Sequence, residues 1–350
     1  MMIGCFGECM LEQSQTAAPE NAALRFGGDT LNTTLYLARC LRLLPHHSDV
    51  HCLPPRYFTA VGNDQQSQQL LLAWQAEGID ISAVQQLSDK TLGRYQIHVD
   101  AQGERSFSYQ RADSAARAYF RQQPTALQQQ LEQGQLAWCY LSGISLAILA
   151  EADRQLLWQS LQLFVAGGGK LVYDNNYRPQ LWSAADAARW QQLILPYCQL
   201  ALLTDSDEKA IYGWHAQQSL AAALAAGCPL VMVKQGAEPC LVGWQATEAT
   251  PAHCWQVAAE TVATVVDTSA AGDAFAAGVL AVLCTRSQWQ QADIITLAIR
   301  TGHRLAAAVL GQHGAIIAPS AMPDLSDLWT DVVVTKTATS SQDAYSDQGE

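Results

Sequence analysis

The residues most able to do chemistry are the nine from Asp267 to Phe275, Asp-Thr-Ser-Ala-Ala-Gly-Asp-Ala-Phe. They follow a β-rich run at 261–266 and lead into a small-residue segment at 274–283, so the pattern predicts a strand, a tight turn and a helix. Ala270, Ala271 and Gly272 leave room for backbone N–H groups to close on an anion at the helix start, where the helix dipole also favours negative charge. Asp273 then falls in the first turn beside that anion. A carboxylate repels a phosphate, so its presence there fits a base that takes a proton from an attacking hydroxyl. A plain N-cap on a buried helix would explain a bare Gly-Asp pair equally well. The whole stretch behind a strand is more specific.

Three further groupings have polar residues placed to hold a small ligand. Gly27 and Gly28 allow close approach to the backbone, and Asp29 and Asn32 offer hydroxyl-binding groups at a helix start. Tyr95 and the pair Tyr109 and Arg111 lie on two arms flanking Asp100-Ala101-Gln102-Gly103, a hairpin signal. Asp174-Asn175-Asn176-Tyr177-Arg178-Pro179 follows a predicted strand, and open α/β sheets bind ligands past strand carboxyl ends.

The elements that must position these residues alternate in type. Strands are predicted at 2–6, 57–61, 136–141, 170–174, 200–203 and 230–234, and helices at 29–43, 64–77, 146–166, 184–194 and 220–226. Such alternation favours an α/β fold with a largely parallel sheet covered by helices. The hairpin arms 95–99 and 106–110, with strand-like pieces around 9–12 and 22–26, predict a small separate sheet, a candidate lid. The segment 44–55 reads as an exposed loop whose His46, His47 and His51 could gather a metal. The tail 334–350, rich in Thr, Ser, Gln and Asp, reads as disordered.

Composition sets the class. With 350 residues and 49% hydrophobic content the chain can bury a large core. A formal charge of −12 argues against nucleic acid or an anionic membrane as partner. The ten cysteines include no C-x-x-C and read as free thiols in a reducing compartment. Residues 1–7 are apolar but lack basic flanks and read as a first strand, so a cytoplasmic protein is expected.

The 267–275 stretch resembles the anion hole and catalytic base of the ribokinase-like carbohydrate kinases. Gly27 to Asn32 is similar to that family's sugar-holding Gly-Gly-x-x-x-Asn element. Within the family, Gly27-Gly28-Asp29-Thr30-Leu31-Asn32, Phe107-x-Tyr109-x-Arg111, Asp174-x-Asn176-Tyr177-Arg178-Pro179 and Gly314-Ala315-Ile316-Ile317 resemble the kinases of 2-keto-3-deoxygluconate. The resemblance spans about residues 3–323. It implies a ribokinase-like three-layer αβα domain over 1–330, with a mostly parallel central sheet and lid strands near 8–27 and 93–111. It implies transfer of phosphate from ATP to the 6-hydroxyl of 2-keto-3-deoxy-D-gluconate.

By that resemblance, Gly28, Asp29, Thr30, Asn32, Tyr95, Tyr109, Arg111 and Arg178 line the sugar-acid site. ATP lies along Asn176, Thr204, Lys234, Gly236 and Ala237 and the turn from Ala270 to Asp273. Mg²⁺ is held through Asp207 or Glu208, a monovalent cation can assist, and the lid clasps a dimer. Two departures stand out: Thr204 and Asp207 occupy an Asn-x-x-Glu motif, and Pro239 replaces the last glycine of Lys-x-Gly-x-x-Gly. The substrate's own chemistry agrees with the assignment. Its hydroxyl must face Asp273, which sends its carboxylate toward the lid and Arg111. The rivals are a fructose- or ribose-type kinase, a non-catalytic sugar-acid-binding protein, and a dinucleotide-binding dehydrogenase. The last needs a G-x-G-x-x-G that Gly4-Cys5-Phe6-Gly7-Glu8 lacks.

Overall fold

A computed structural model describes residues 1–13, 25–43, 49–99, 105–245 and 252–329. In chain order the elements begin with β1 (Ile3–Phe6), β2 (Met10–Gln13), β3 (Phe26–Gly27), α1 (Asp29–Leu43), β4 (Arg56–Phe58), β5 (Ala60–Gly62), α2 (Gln65–Ala76) and β6 (Gln85–Leu87). Then come β7 (Gly93–Val99), β8 (Arg105–Gln110), α3 (Ala126–Glu132), β9 (Trp138–Ser142), α4 (Gly143–Ala147), α5 (Glu151–Ala166), β10 (Lys170–Asp174) and α6 (Ala184–Ile194). The remainder is β11 (Cys198–Thr204), α7 (Asp205–Tyr212), α8 (Ala216–Ala225), β12 (Leu230–Gln235), β13 (Glu238–Trp244), β14 (His253–Val257), α9 (Ala271–Leu283) and α10 (Ala292–Leu310).

Eight strands form the main sheet in the order β14-β13-β12-β11-β10-β9-β1-β4. Every pairing from β4 to β12 is parallel, and β12-β13-β14 run antiparallel at one edge. The central strands are apolar on both faces, as strands covered on both sides must be. Trp138 and Tyr140 of β9, Leu200 and Leu202 of β11, and Leu230 and Met232 of β12 join a core with α1, α2, α9 and α10. Their alternate neighbours Cys139, Leu141, Ala201, Leu203, Val231 and Val233 join a second core with α3, α5, α6 and α8. The period-2 side-chain alternation of a strand thus feeds two helical layers, and the expected three-layer αβα arrangement is present.

A second, four-stranded sheet has the order β3-β2-β7-β8 and is the expected small separate sheet, called the lid below for its position over the cavity. Its hairpin turn at 100–104 and the segment 14–24 lie outside the described residues, as do His46, His47 and the tail 334–350. α9 is built from small residues because it is buried on nearly every side between α1 and α10. A Cβ on its Gly278 would come within 2.7 Å of the Gly302 Cα of α10, so two glycines set how closely these helices cross.

Four expectations need correction. The run 261–266 is irregular backbone, not a strand; Val266 and Asp267 donate their N–H groups to the Leu310 carbonyl instead. Its β-branched residues find no neighbouring strand, and β propensity is mostly packing on a pleated surface. The helix at 146–166 is two helices, because Ser142 and Ser145 cap α4 reciprocally and Ala150 is extended before α5. The strand at 57–61 divides between β4 in the main sheet and β5 in a separate pair with β6. Helix α8 begins at Ala216, a turn earlier than its apolar pattern indicates. α3, α7, α10, β6, β13 and β14 are not among the elements predicted above.

Candidate active site

The strand order reverses around β1: β4 lies on one side of it and β9 on the other. Ligands of open α/β sheets bind at such switch points, outside the strand carboxyl ends. There, between the sheet and the lid, is a cavity of about 600 Å³. Its wall takes Asp174 from the end of β10, Thr204 from β11, Lys234 from β12, Asp29 and Asn32 from α1, and Tyr95 and Tyr109 from the lid. Thr268 to Ala270, Gly272 and Asp273 complete it at the start of α9.

Asp273 sits in the first turn of α9, half-buried, and its Oδ2 accepts a hydrogen bond from Asn32 Nδ2 at 2.8 Å. Thr33 Oγ1 donates to the Asp273 carbonyl at 3.3 Å, so α1 holds both ends of this residue. Removal from water raises the Asp273 carboxyl to about 7; the charges of Asp29 and Asp174 add to the shift, and the Asn32 bond and Lys234 charge oppose it. Asp29 is raised too, chiefly by burial, while its bond from Ser142 works the other way. Its Oδ2 also accepts from Asn176 Nδ2 at 3.0 Å. Lys234 Nζ donates to Asp174 Oδ2 at 2.8 Å, and among the described residues Asp174 Oδ1 and Asn32 Oδ1 are buried without a partner.

Backbone strain concentrates here. Among the described residues the non-glycine positions in the left-handed region are Asn176 (φ 28°) and Ala270 (φ 61°), and both line the cavity. Such conformations cost on the order of 1–3 kcal/mol each and persist where surroundings enforce them. Ala270 is held because Asp267, three residues before it, takes Ser269 N–H on one oxygen and Gly314 N–H on the other. Asn176 is held by the Asn175 side chain, which bonds Asn176 N–H and Thr204 N–H and is itself fixed by Glu208.

The structure brings most of the expected residues together: Gly28, Asp29, Asn32, Tyr95 and Tyr109 on the lid and α1 side, Asn176, Arg178, Thr204, Asp207 and Lys234 at or past the strand ends, and Ala270, Gly272 and Asp273 at α9. Six do not reach the wall. Thr30 is buried behind it, against Gly7 and the Tyr57 hydroxyl. Glu208 is 1% exposed, with Oε1 taken by Asn175 and Gln191 and Oε2 buried without a partner among the described residues, so it positions Asn175 from behind the wall. Gly236 and Ala237 form the exposed turn between β12 and β13. Ala271 N–H turns back toward the Thr268 carbonyl at 3.5 Å. Arg111 faces out of the cavity and pairs with Glu8.

Polar contributors outside the expected residues include Gln180 and Ser206 on the wall and Ser142, which bonds Asp29. The sequence points to Asp174 only as part of its polar run past a strand end, and Ser142 has nothing in its sequence context to mark it. Asp207 remains at the wall, its carboxyl raised by burial against the pull of Arg178, and its Oδ2 accepts Tyr177 N–H at 3.0 Å.

The likeness to known proteins is extensive. The chain is 40% identical to 2-dehydro-3-deoxygluconokinase of Dickeya dadantii over 325 residues, 92% of this chain and 98% of that protein. It is 36% identical to the protein of the same name from Haemophilus influenzae, over 90% of this chain and 95% of that one. It superposes on fructokinase with bound ATP from Xylella fastidiosa with a TM-score of 0.71 at 19% identity, covering 96% of this chain and 99% of that one. For aminoimidazole riboside kinase from Salmonella enterica the TM-score is 0.70 at 18% identity, with 95% and 99% covered. At such identities the structures speak for the fold alone. The pfkB family carbohydrate kinase model, however, matches residues 2–322. With that match over nearly its whole length, beside relatives 36–40% identical, the chain belongs to the pfkB family of carbohydrate kinases.

Proposed function

We propose that this chain transfers the γ-phosphoryl group of ATP to the 6-hydroxyl of 2-keto-3-deoxy-D-gluconate, giving the 6-phosphate and ADP. The observation that carries the reading is the Asp273 carboxylate, oriented by Asn32 inside the cavity and raised to about 7. A general base works best when its proton affinity is near the working pH. The named sugar-acid kinases at 36–40% identity support the substrate, and a fructokinase of Vibrio alginolyticus stands further off at 25%.

In this reading Asp273 accepts the proton of the 6-hydroxyl as its oxygen bonds to the γ-phosphorus and ADP departs. Gly272 lacks a side chain where one would stand 3.6 Å from Lys234 Nζ, which leaves an open cradle of positive charge at the N-terminus of α9. Lys234, Thr204 and Asn176 face that cradle and would hold the phosphates, with Gly236 and Ala237 left for the outer part of the nucleotide. The donor set for Mg²⁺ is Asp207 with the unpartnered Asp174 Oδ1, all oxygen as that ion prefers. When bound, Mg²⁺ would neutralise phosphate oxygens. Asn32 and Asp29 would hold the acceptor's hydroxyls, and Tyr95 and Tyr109 would cover it and exclude water. A monovalent cation and a reducing, cytoplasmic setting belong to the same proposal, and all ten cysteines are free in the structure. A coupled ADP-release assay over sugars and sugar acids tests the function; turnover confined to neutral sugars would overturn it.

Arg178 is the exposed cation at the cavity rim, donating to the Tyr177 carbonyl at 2.9 Å. Its other N–H groups suit the acceptor's carboxylate. Arg178→Leu is expected to lower kcat/KM for the sugar acid by about 10–150-fold, the range for a lost charge-assisted hydrogen bond. Neutral acceptors should change little. An equal loss on both would make the arginine structural.

We further propose a homodimer joined through the lid. Among the described residues β8 is the last strand of the four-stranded lid sheet, and an edge strand can pair with a copy of itself. Light scattering at micromolar concentration should give twice the chain mass of 38.0 kDa. A mass of one chain, unchanged by substrate, would end the dimer proposal and leave the lid intact.

A further inference from the structure

Among the described residues the chain passes between the main sheet and the lid four times, and all four crossings meet at one buried residue, Glu8. The first is Glu8 itself, on the link from β1 to β2, 1% exposed. At the second, between β3 and α1, a Cβ on Gly28 would lie 2.1 Å from the Glu8 carbonyl oxygen. At the third, where the chain enters β7, a Cβ on Gly93 would lie 3.0 Å from Glu8 Oε1 and 3.3 Å from the Arg111 Cβ. At the fourth, where the chain leaves β8, Arg111 Nη2 pairs with Glu8 Oε2 and Ser114 Oγ donates to Oε1. The Arg111 guanidinium also lies 5.8 Å from the centre of the Tyr109 ring, which is on the cavity wall. Tyr109 in turn pairs across the hairpin with Tyr95.

We propose that Glu8 is a positioning residue that, through Arg111 and Ser114, fixes the angle of the lid and so sets Tyr95 and Tyr109 over the acceptor. Arg111 then serves acceptor binding through Tyr109, not by touching the acceptor's carboxylate. The inference rests on the reading of this cavity as the acceptor site. A charge held at the pivot of a lid acts on closure, and closure favours every acceptor alike.

The test compares Glu8→Gln, Arg111→Met, their double variant and the milder Ser114→Ala with the full wild-type chain. With the sugar acid and with a neutral sugar, both charge-removing variants should raise acceptor KM by about 10–150-fold, the range for a lost charge-assisted hydrogen bond. kcat should move far less, and the double variant should be no worse than the poorer single, because the two residues act as one unit. Ser114→Ala should shift KM in the same direction by a smaller factor, which keeps the test alive if a buried-charge variant fails to fold. Amide hydrogen exchange supplies a readout without turnover. Exchange at 10–13 and 93–99 should quicken by about tenfold or more in Glu8→Gln, with 138–142 and 170–174 unchanged. Loss confined to the anionic acceptor in Arg111→Met, with Glu8→Gln silent, would overturn the proposal and make Arg111 a substrate contact. So would lid exchange at the wild-type rate. Should the wild-type chain phosphorylate no acceptor tested, the proposed function fails while the exchange measurement still decides the role of Glu8.

Discussion

Asp273→Asn is expected to fold normally, bind ATP and lose about 10²–10⁴-fold in kcat, the range for removing a general base. The amide has the size of the carboxylate and can still accept the hydrogen bond from Asn32, so α1 and α9 keep their contact. What disappears is the proton acceptor. Steady-state kinetics with calorimetric ATP binding checks this, and a variant retaining more than about a tenth of wild-type kcat would remove Asp273 from the role.

Its pH dependence follows from the same geometry. The base acts deprotonated and its carboxyl lies at about 7, so wild-type kcat/KM should climb as pH rises through that value. The residual activity of the variant should not. Stability runs the opposite way. The fold favours the protonated form, so this group's contribution is fully present below the ordinary value of 3.8 and is lost as pH rises through about 7. Asp273→Asn should therefore gain thermal stability relative to wild type at pH 8 and not at pH 3. That is the trade expected where a charge is kept buried for catalysis.

Lys234→Met should cost both stability and activity, for separable reasons. The Lys234 and Asp174 side chains are 13% and 3% exposed, and the variant strands the Asp174 carboxylate in the interior. Breaking a buried pair from one side costs about 3–5 kcal/mol. Lost stabilisation of phosphate charge should take kcat/KM down about 10²–10³-fold, as for loss of an anion-hole donor. Adding Asp174→Asn removes the stranded charge, so the double variant should recover most of the denaturant midpoint and none of the activity. A single variant as stable as wild type would show that water reaches Asp174 freely. A double variant that regained activity would make the pair structural.

Much of this protein is legible in its sequence, because the relevant physics is local or periodic. Apolar runs such as 200–203 and 230–234 mark strands covered on both faces. The Ala-Ala-Gly-Asp turn before a small-residue helix marks the start of α9 at the cavity wall, and two strand-like arms around Asp-Ala-Gln-Gly mark a hairpin of the small sheet. What the tertiary structure alone decided is which polar group each side chain meets, since those partners are far apart along the chain. Arg111 carries the same residue type whether it grips a substrate or Glu8, and only folding brings Glu8 to it across more than a hundred residues. Whether Glu208 is exposed or buried is set only by folding, and the fold buries it with Oε1 bonded to Asn175 and Gln191. The run 261–266 reads as a strand by residue type, but a strand needs a neighbour, and the Leu310 carbonyl takes its last N–H groups instead. Local sequence specifies what a residue can do; desolvation and the choice of partner, both products of the packed fold, determine what it does.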